Sequence, residues 1–189
     1  AAAVAFEDAL ELINAKPQAG SQATPQHDKR RSFFRQHARE YRLLGTWHSK
    51  GKVPVKFIHV AGTNGKGSVC EYVRAALVSQ GFKVGTFSSP HLHCPCERIR
   101  VGDEFISRAE LVALSRRHRD ILAVDSPHEW MVPFDRWLLL ALAHFGERDV
   151  SVVILETGIG GMYDSTNFVP DPALSVITSI SIDHQWLLG

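Results

Sequence analysis

Residues 57–68 read FIHVAGTNGKGS, and their pattern decides how the rest of the chain is read. The run from Val53 to Val60 is apolar and rich in β-branched residues, which predicts a buried strand. A turn follows, Gly62-Thr63-Asn64-Gly65-Lys66-Gly67-Ser68, in which glycines surround one lysine. From Ser68 to Gln80, Val69, Val73 and Leu77 recur four apart and Gly81 supplies a stop, so a helix is expected. Strand, glycine turn, lysine and helix together make a cradle for a polyphosphate. Glycines let successive N–H groups converge on anionic oxygens, the helix start adds its positive end, and the lysine adds a mobile charge. The match to the phosphate-loop pattern G-x-x-x-x-G-K-[ST] is partial: Val60 stands at the first glycine, Gly67 directly follows the lysine, and Ser68 brings its hydroxyl one residue late. The competing reading is a tight strand-to-helix turn with a solvated lysine.

Toward the N-terminus, residues 5–15 place Phe6, Leu10 and Ile13 on one face of a short helix. Residues 16–29 are rich in Gln, Pro, Ser and Gly and read as a linker, and residues 31–44 read as a basic helix ending at Gly45. Arg30, Arg31, Arg35 and Arg39 read as a solvated face because Asp28 and Glu40 interleave, the alternative being a phosphate or RNA patch.

Toward the C-terminus, residues 82–88 form a second strand that Pro90 ends. Ser107 with Glu110 three residues on is a capping box, and Leu111, Leu114, Ile121 and Leu122 give that helix its apolar side. A break at 125–128, a helix over 134–145, a strand over 150–155 ending at Glu156, a glycine-rich loop over 157–167 and a strand over 174–179 follow. The last strand leads to Asp183 and His184. Alternating strands and helices predict an α/β fold, a mostly parallel sheet flanked by helices. Residues 1–52 are expected to form a loosely attached helical segment and linker, and residues 53–189 the α/β domain.

With 189 residues, 44% hydrophobic and 22% charged, the composition is that of a soluble globular chain. A net charge of +1 argues against a nucleic-acid binder that works by broad electrostatics. No apolar run approaches the roughly 18–20 residues of a membrane span. Cys70, Cys94 and Cys96 are an odd count, with Cys94-Pro95-Cys96 too closely spaced for an ordinary disulfide, so reduced thiols are expected. The N-terminus lacks the basic segment of a secretory signal, and a start without Met and a stop at Gly189 read as an excised piece.

In parallel sheets, ligands collect beyond the carboxyl ends of the strands. Four strands here end in chemically capable residues: Lys66, Ser89, Glu156 and the pair Asp183/His184. Lys66 suits the phosphates and the charge of a transferring phosphoryl group. Glu156 suits magnesium or a cap on the glycine turn that follows it. Ser89 suits the same ion or an ordinary turn, and Asp183 suits ligation, orientation of His184, or capping. His59 is expected to pack within the first strand. Arg98 and Arg100, two apart, share one face of an extended segment and either hold an anion together or line a solvated edge.

Five blocks, HVAGTNGKGS (59–68), SSPHL (88–92), ERIR (97–100), ETGIGGMYDSTN (156–167) and SIDHQWLLG (181–189), resemble the folylpolyglutamate synthases in order and spacing. The likeness is to the N-terminal ATPase domain of that family, within the Mur ligase superfamily. It implies a P-loop NTPase-like fold of the Mur ligase central-domain type and an ATP-dependent ligase. Such an enzyme adds L-glutamate to the glutamate tail of a reduced folate through an acyl phosphate. Carried over by position, Gly62, Thr63, Asn64, Gly65, Lys66, Gly67 and Ser68 hold ATP. Ser89, Glu156 and His184 ligate Mg2+, and Lys66, Glu156 and His184 carry catalysis. Ser89, Pro90, His91, Leu92, Arg98 and Arg100 lie near the folate. The resemblance further implies a monomer of the cytoplasm or mitochondria, with no nucleic-acid or membrane partner. The family's C-terminal glutamate-binding domain is absent from this chain, which taken alone is expected to be inactive. Met162 and the His93-Cys94-Pro95-Cys96 run depart from the family pattern. Competing readings are a dihydrofolate synthase or bifunctional enzyme, a P-loop kinase or NTPase, and an inactive binding fragment.

Overall fold

A computed structural model describes residues 2–16, 27–44, 54–123, 125–128 and 130–185. Within it, α1 (Ala2–Asn14) and α2 (His27–Glu40) precede β1 (Lys56–Ala61) and α3 (Lys66–Ser79). β2 (Val84–Phe87), a 3₁₀ turn (Pro95–Arg98), β3 (Ile99–Val101) and β4 (Glu104–Phe105) come next. Then follow α4 (Arg108–Arg117), α5 (Arg119–Leu122), α6 (Pro133–Glu147), β5 (Val152–Glu156) and β6 (Leu174–Ile177). Among the described residues the strands form one sheet in the order β4-β3-β2-β5-β1-β6. β2, β5, β1 and β6 run parallel, and β3 and β4 extend the sheet antiparallel. The expected mostly parallel sheet flanked by helices is thus the one found.

Strand alternation divides the core. On β5, Val152 and Ile154 face α3, where they meet Ile58, Val60, Val84 and Cys70. Val153 and Leu155 point the other way, toward α6, with Phe57 and Phe87. Helix α6 is buried along its whole middle, from Asp135 to Phe145, because α1, α2 and α4 cover the side that the sheet does not. Each large side chain sealed there contributes roughly 1.5–3 kcal/mol.

The N-terminal helices are therefore not a loose attachment. Phe6, Ile13, Phe34 and Ala38 belong to the same core as α6. Trp137 Nε1 donates to Asn14 Oδ1 at 3.1 Å, and Arg136 donates to the carbonyls of Leu122 and Ala15. The basic face of α2 is corrected likewise. Arg30 pairs with the buried Asp135 at 3.3 Å, and Arg35 Nε donates to the Phe168 carbonyl at 3.1 Å. Both arginines close the core rather than face solvent alone.

Boundaries differ from expectation where a local cause is visible. Helix α3 starts at Lys66, two residues early, because Gly65 adopts the left-handed conformation (φ 87°) and releases the chain directly into a helix. The helix expected after Ser107 keeps its capping box but divides at His118, whose ring Nδ1 meets the Leu114 carbonyl at 3.0 Å. Val53, Gly45, most of the 16–29 linker and the last four residues of the SIDHQWLLG block lie outside the described residues. No described helix is long and apolar enough to cross a membrane.

Gly62 fixes the exit from β1. Its φ is 132°, and a Cβ there would lie 2.0 Å from Thr178 Oγ1 and 3.0 Å from the Thr178 backbone nitrogen. Gly62→Ala is expected to lower unfolding stability by about 1–3 kcal/mol. A Thr178→Ala background should restore only part of it, since the backbone clash stays. Urea unfolding of the single and double variants measures both effects; full rescue by Thr178→Ala contradicts the backbone argument.

Candidate functional site

The β1–α3 turn is strapped to the segment after β6. Thr178 N donates to the Ala61 carbonyl at 2.8 Å, and Thr63 N to the Ser179 carbonyl at 2.9 Å. Thr63 and Ser181 exchange two bonds, Oγ1 to carbonyl and amide to Oγ1, each 3.1 Å. No side chain caps the start of α3, so its first amides are left for another acceptor. Lys66 Nζ donates to the carbonyls of Gly62 (2.9 Å) and Thr63 (3.1 Å), which holds the ammonium on the turn.

Two cavities meet at Lys66. The larger, about 700 Å3, is lined by Thr63 to Ser68, by Ser89, Pro90 and Leu92 from the β2–β3 connection, and by Arg100 and Glu156. The smaller, about 300 Å3, is lined by Gly62, Thr63 and Lys66, by the glycine loop 158–161, and by Asp183 and His184. The carboxyl ends of β1, β2, β5 and β6 thus bring the expected residues to one edge, but into two compartments.

Glu156 ends β5 at 4% exposure and accepts the Ser89 N–H on Oε2 at 3.0 Å. Burial pushes its carboxyl above the ordinary range, against the opposing pull of the Ser89 amide and the Lys66 charge. A Cβ on Gly67 would come within 3.7 Å of Glu156 Oε1, an ordinary contact, so space alone does not demand the glycine after the lysine. Ser89 and Glu156 therefore converge. His184 does not join them: its φ is 49°, and its ring Nε2 lies 3.8 Å from Asp183 Oδ2 in the smaller cavity. Among the described residues, no group of three or more His, Cys, Asp or Glu is arranged to hold a metal.

The β2–β3 connection is organised by Glu97, which accepts the amides of Leu92 (2.7 Å), His93 (3.0 Å) and Cys94 (2.7 Å). Those amides hold its carboxyl below the ordinary range. Arg98 and Arg100 do not share a face. Arg98 ends the 3₁₀ turn, donates to His91 Nδ1 at 2.9 Å and lies over the Trp137 ring on the α6 side. Burial lowers the values of both Arg98 and His91. Arg100, in β3, reaches α3 instead, donating to Glu71 Oε2 at 3.1 Å with its guanidinium 4.9 Å from the Phe105 ring centre. Only Arg100 lines the large cavity.

Sequence reasoning passed over Cys70, Glu71, Tyr72, Thr86, Glu97 and Phe105, all of which line that cavity. Burial raises the Cys70 thiol to about 12, which leaves it a packed, unreactive group. His59 lies in β1 as expected, yet its Nε2 meets Thr166 Oγ1 at 2.7 Å.

No family model matches the chain. Curated relatives do. A putative folylpolyglutamate synthase of Dictyostelium discoideum is 44% identical over 134 residues, 70% of this chain and 21% of the relative. A dihydrofolate synthase/folylpolyglutamate synthase of Bacillus subtilis is 42% identical over 138 residues, 71% of this chain and 32% of the relative. Among solved structures, a Mycobacterium tuberculosis folylpolyglutamate synthase complexed with ADP superposes at a TM-score of 0.79 with 29% identity, covering all of this chain and 40% of that one. An FPGS–AMPPCP–folate complex gives 0.74 and 30%, covering 97% and 42%. The chain spans a fifth to a third of the length of these curated relatives.

Because burial raises the folded-state value of Glu156, the folded chain keeps that proton to higher pH than the unfolded chain. Its contribution to stability therefore falls as pH rises from the ordinary carboxylate value through the raised one. Glu156→Gln keeps an acceptor for the Ser89 amide and removes the charge. It is expected to be more stable than wild type at pH 7 and equal to it near pH 4. Urea midpoints at the two pH values test this; equal midpoints at pH 7 contradict it.

Proposed function

We propose that this chain, which belongs with the folylpolyglutamate synthases over the segment it spans, is the nucleotide-binding part of an ATP-dependent carbon–nitrogen ligase. That ligase adds L-glutamate to the glutamate tail of a reduced folate. The observation that carries the reading is the large cavity, where the uncapped start of α3, Lys66, Ser89 and Glu156 converge at the carboxyl edge of the sheet.

The turn Gly62, Thr63, Asn64, Gly65, Lys66, Gly67 and Ser68 supplies amides and one cation for the ATP phosphates. Lys66 stabilises charge as the terminal phosphoryl group passes to a folate carboxylate, giving an acyl phosphate. The glutamate amine then attacks the acyl carbon, its N–C bond forms, phosphate leaves with the C–O bond electrons, and the proton shed by the nitrogen goes to the departing phosphate. Mg2+ suits a buried carboxylate beside a hydroxyl, since it takes few protein oxygens and completes its shell with phosphate and water. Glu156 and Ser89 would hold it, while His184 lines the smaller cavity on the other side of the Lys66 turn. Bound there, the ion neutralises phosphate oxygens. Ser89, Pro90, His91, Leu92 and Arg100 face the folate, and Arg98 sets His91. Contacts to adenine and to the incoming glutamate are assigned to the part of the relatives' length that this chain does not span.

A second acceptor is favoured by one observation: the Bacillus subtilis relative carries dihydrofolate synthase in its name at nearly the same identity. The same cavity would then also take dihydropteroate.

Calorimetric titration of the chain with Mg2+–AMPPCP tests the binding, and Lys66→Ala is expected to weaken it about tenfold or more. Placing this chain in the matched segment of the Bacillus subtilis relative tests the reaction. ADP release should require glutamate together with tetrahydrofolate or dihydropteroate. Release that needs neither acceptor sinks the ligase reading and leaves a P-loop NTPase.

A further inference from the structure

We infer that His59 and Thr166 are positioning residues, a two-member link that fixes the glycine loop 158–161 against the phosphate turn. His59 lies in β1, two residues before that strand ends, and its ring crosses to the 157–169 loop rather than only packing. Thr166 is fully buried, and its Oγ1 is 2.7 Å from His59 Nε2 and 2.5 Å from Asp164 Oδ1. The Thr166 amide donates to the same Asp164 oxygen at 2.9 Å. Asp164 Oδ2 accepts the amides of Gly158 (3.0 Å) and Ile159 (3.2 Å). Gly158 to Gly161 line the smaller cavity opposite Gly62, Thr63 and Lys66.

The direction of the link follows from the donors. Three backbone amides, those of Gly158, Ile159 and Thr166, can only donate to Asp164, and the Thr166 hydroxyl donates to Oδ1 beside them. The single Thr166 hydroxyl proton is therefore committed to Asp164, and toward His59 the hydroxyl oxygen has only lone pairs. His59 must donate through Nε2–H, which assigns its tautomer from the network. One strand thus controls both halves of the smaller cavity. β1 runs directly into the phosphate turn, and through His59, Thr166 and Asp164 it also holds the first two amides of the glycine loop.

The effect on nucleotide binding rests on the function proposed above; the anchoring itself does not. The experiment reads them separately. Amide exchange at Gly158 and Ile159 is followed by NMR, with Val153 and Ile154 of β5 as internal references, and ADP affinity is measured by calorimetry. His59→Phe keeps a ring without the donor, and Thr166→Val keeps the shape without the hydroxyl. Each is expected to speed exchange at Gly158 and Ile159 about tenfold or more while the β5 amides stay unchanged. ADP affinity should fall about tenfold in the same variants. His59→Gln, whose amide can donate from the same place, and Thr166→Ser should both stay within about threefold of wild type. Because His59 acts only through Thr166, the double variant should be no worse than Thr166→Val alone.

Unchanged loop exchange in Thr166→Val overturns the link, as do effects that multiply in the double variant. Faster exchange with unaltered ADP affinity overturns the positioning role. If the wild-type chain binds no ADP, the nucleotide reading fails, and the exchange data still decide whether His59 anchors the loop. A variant that unfolds would lose protection in β5 as well, and the Gln and Ser substitutions then carry the comparison.

Discussion

Parallel pairing of β2, β5, β1 and β6 is the constraint on which the site depends. Parallel strands all end at the same edge, so whatever residue follows each strand is delivered to one line. In this chain those residues are a glycine turn with Lys66, Ser89, Glu156, and the Asp183–His184 pair. Register sharpens the delivery. Val60 lies opposite Glu156 and Phe87 opposite Leu155, so β1, β5 and β2 end in steps of one residue, and the chain after β2 hands the Ser89 amide across to the Glu156 carboxylate. No single motif could do this, because each supplies one group and the sheet supplies their alignment.

A second layer of constraint comes from below. Asp135 sits at the start of α6 with no exposure, yet it gathers Arg30 from α2, Ser165 from the glycine-rich loop and the Val132 amide. Burial pushes its carboxyl up, and the Arg30 charge and the two hydrogen bonds oppose that push. The 157–169 loop is consequently held at several places, by Asp135 through Ser165, by Arg35 through the Phe168 carbonyl, and by β1 through Thr166. A loop rich in glycine is ordered here by its polar neighbours rather than by its own backbone preferences.

What the sequence made legible was local. The β1–turn–α3 unit, the Ser107–Glu110 capping box and the apolar run of β5 each depend on spacings within about one element, and such spacings survive without knowledge of the partners. Gly65 explains the shift of the helix in that unit, since a left-handed residue starts it at Lys66. The failures were all of distance. Arg98 and Arg100 looked like a pair because an extended strand would make them one, but Arg98 lies in a 3₁₀ turn and the two reach opposite sides of the sheet. Arg30 looked solvated because Asp135 is about a hundred residues away. His184 and Glu156 looked like co-ligands, yet the turn carrying Lys66 stands between their compartments. Asp164 was visible in the sequence, but nothing in its neighbours announced that four donors would meet on it.

The strap between the Lys66 turn and the segment after β6 bears on how the chain acquires its shape. The Thr63–Ser181 bonds join residues 118 apart, and the Thr178–Ala61 contacts span nearly as much. Contacts of such sequence separation form late, because the entropy of closing the intervening chain is lost before they can repay it. β1 with α3 and α3 with β2 can meet early from neighbouring sequence, but β5 must still enter between the two strands, and the turn after β1 takes its final form only when β6 docks. The turn that carries Lys66 is thus among the last parts of the fold to become native, although it is the most readable part of the sequence.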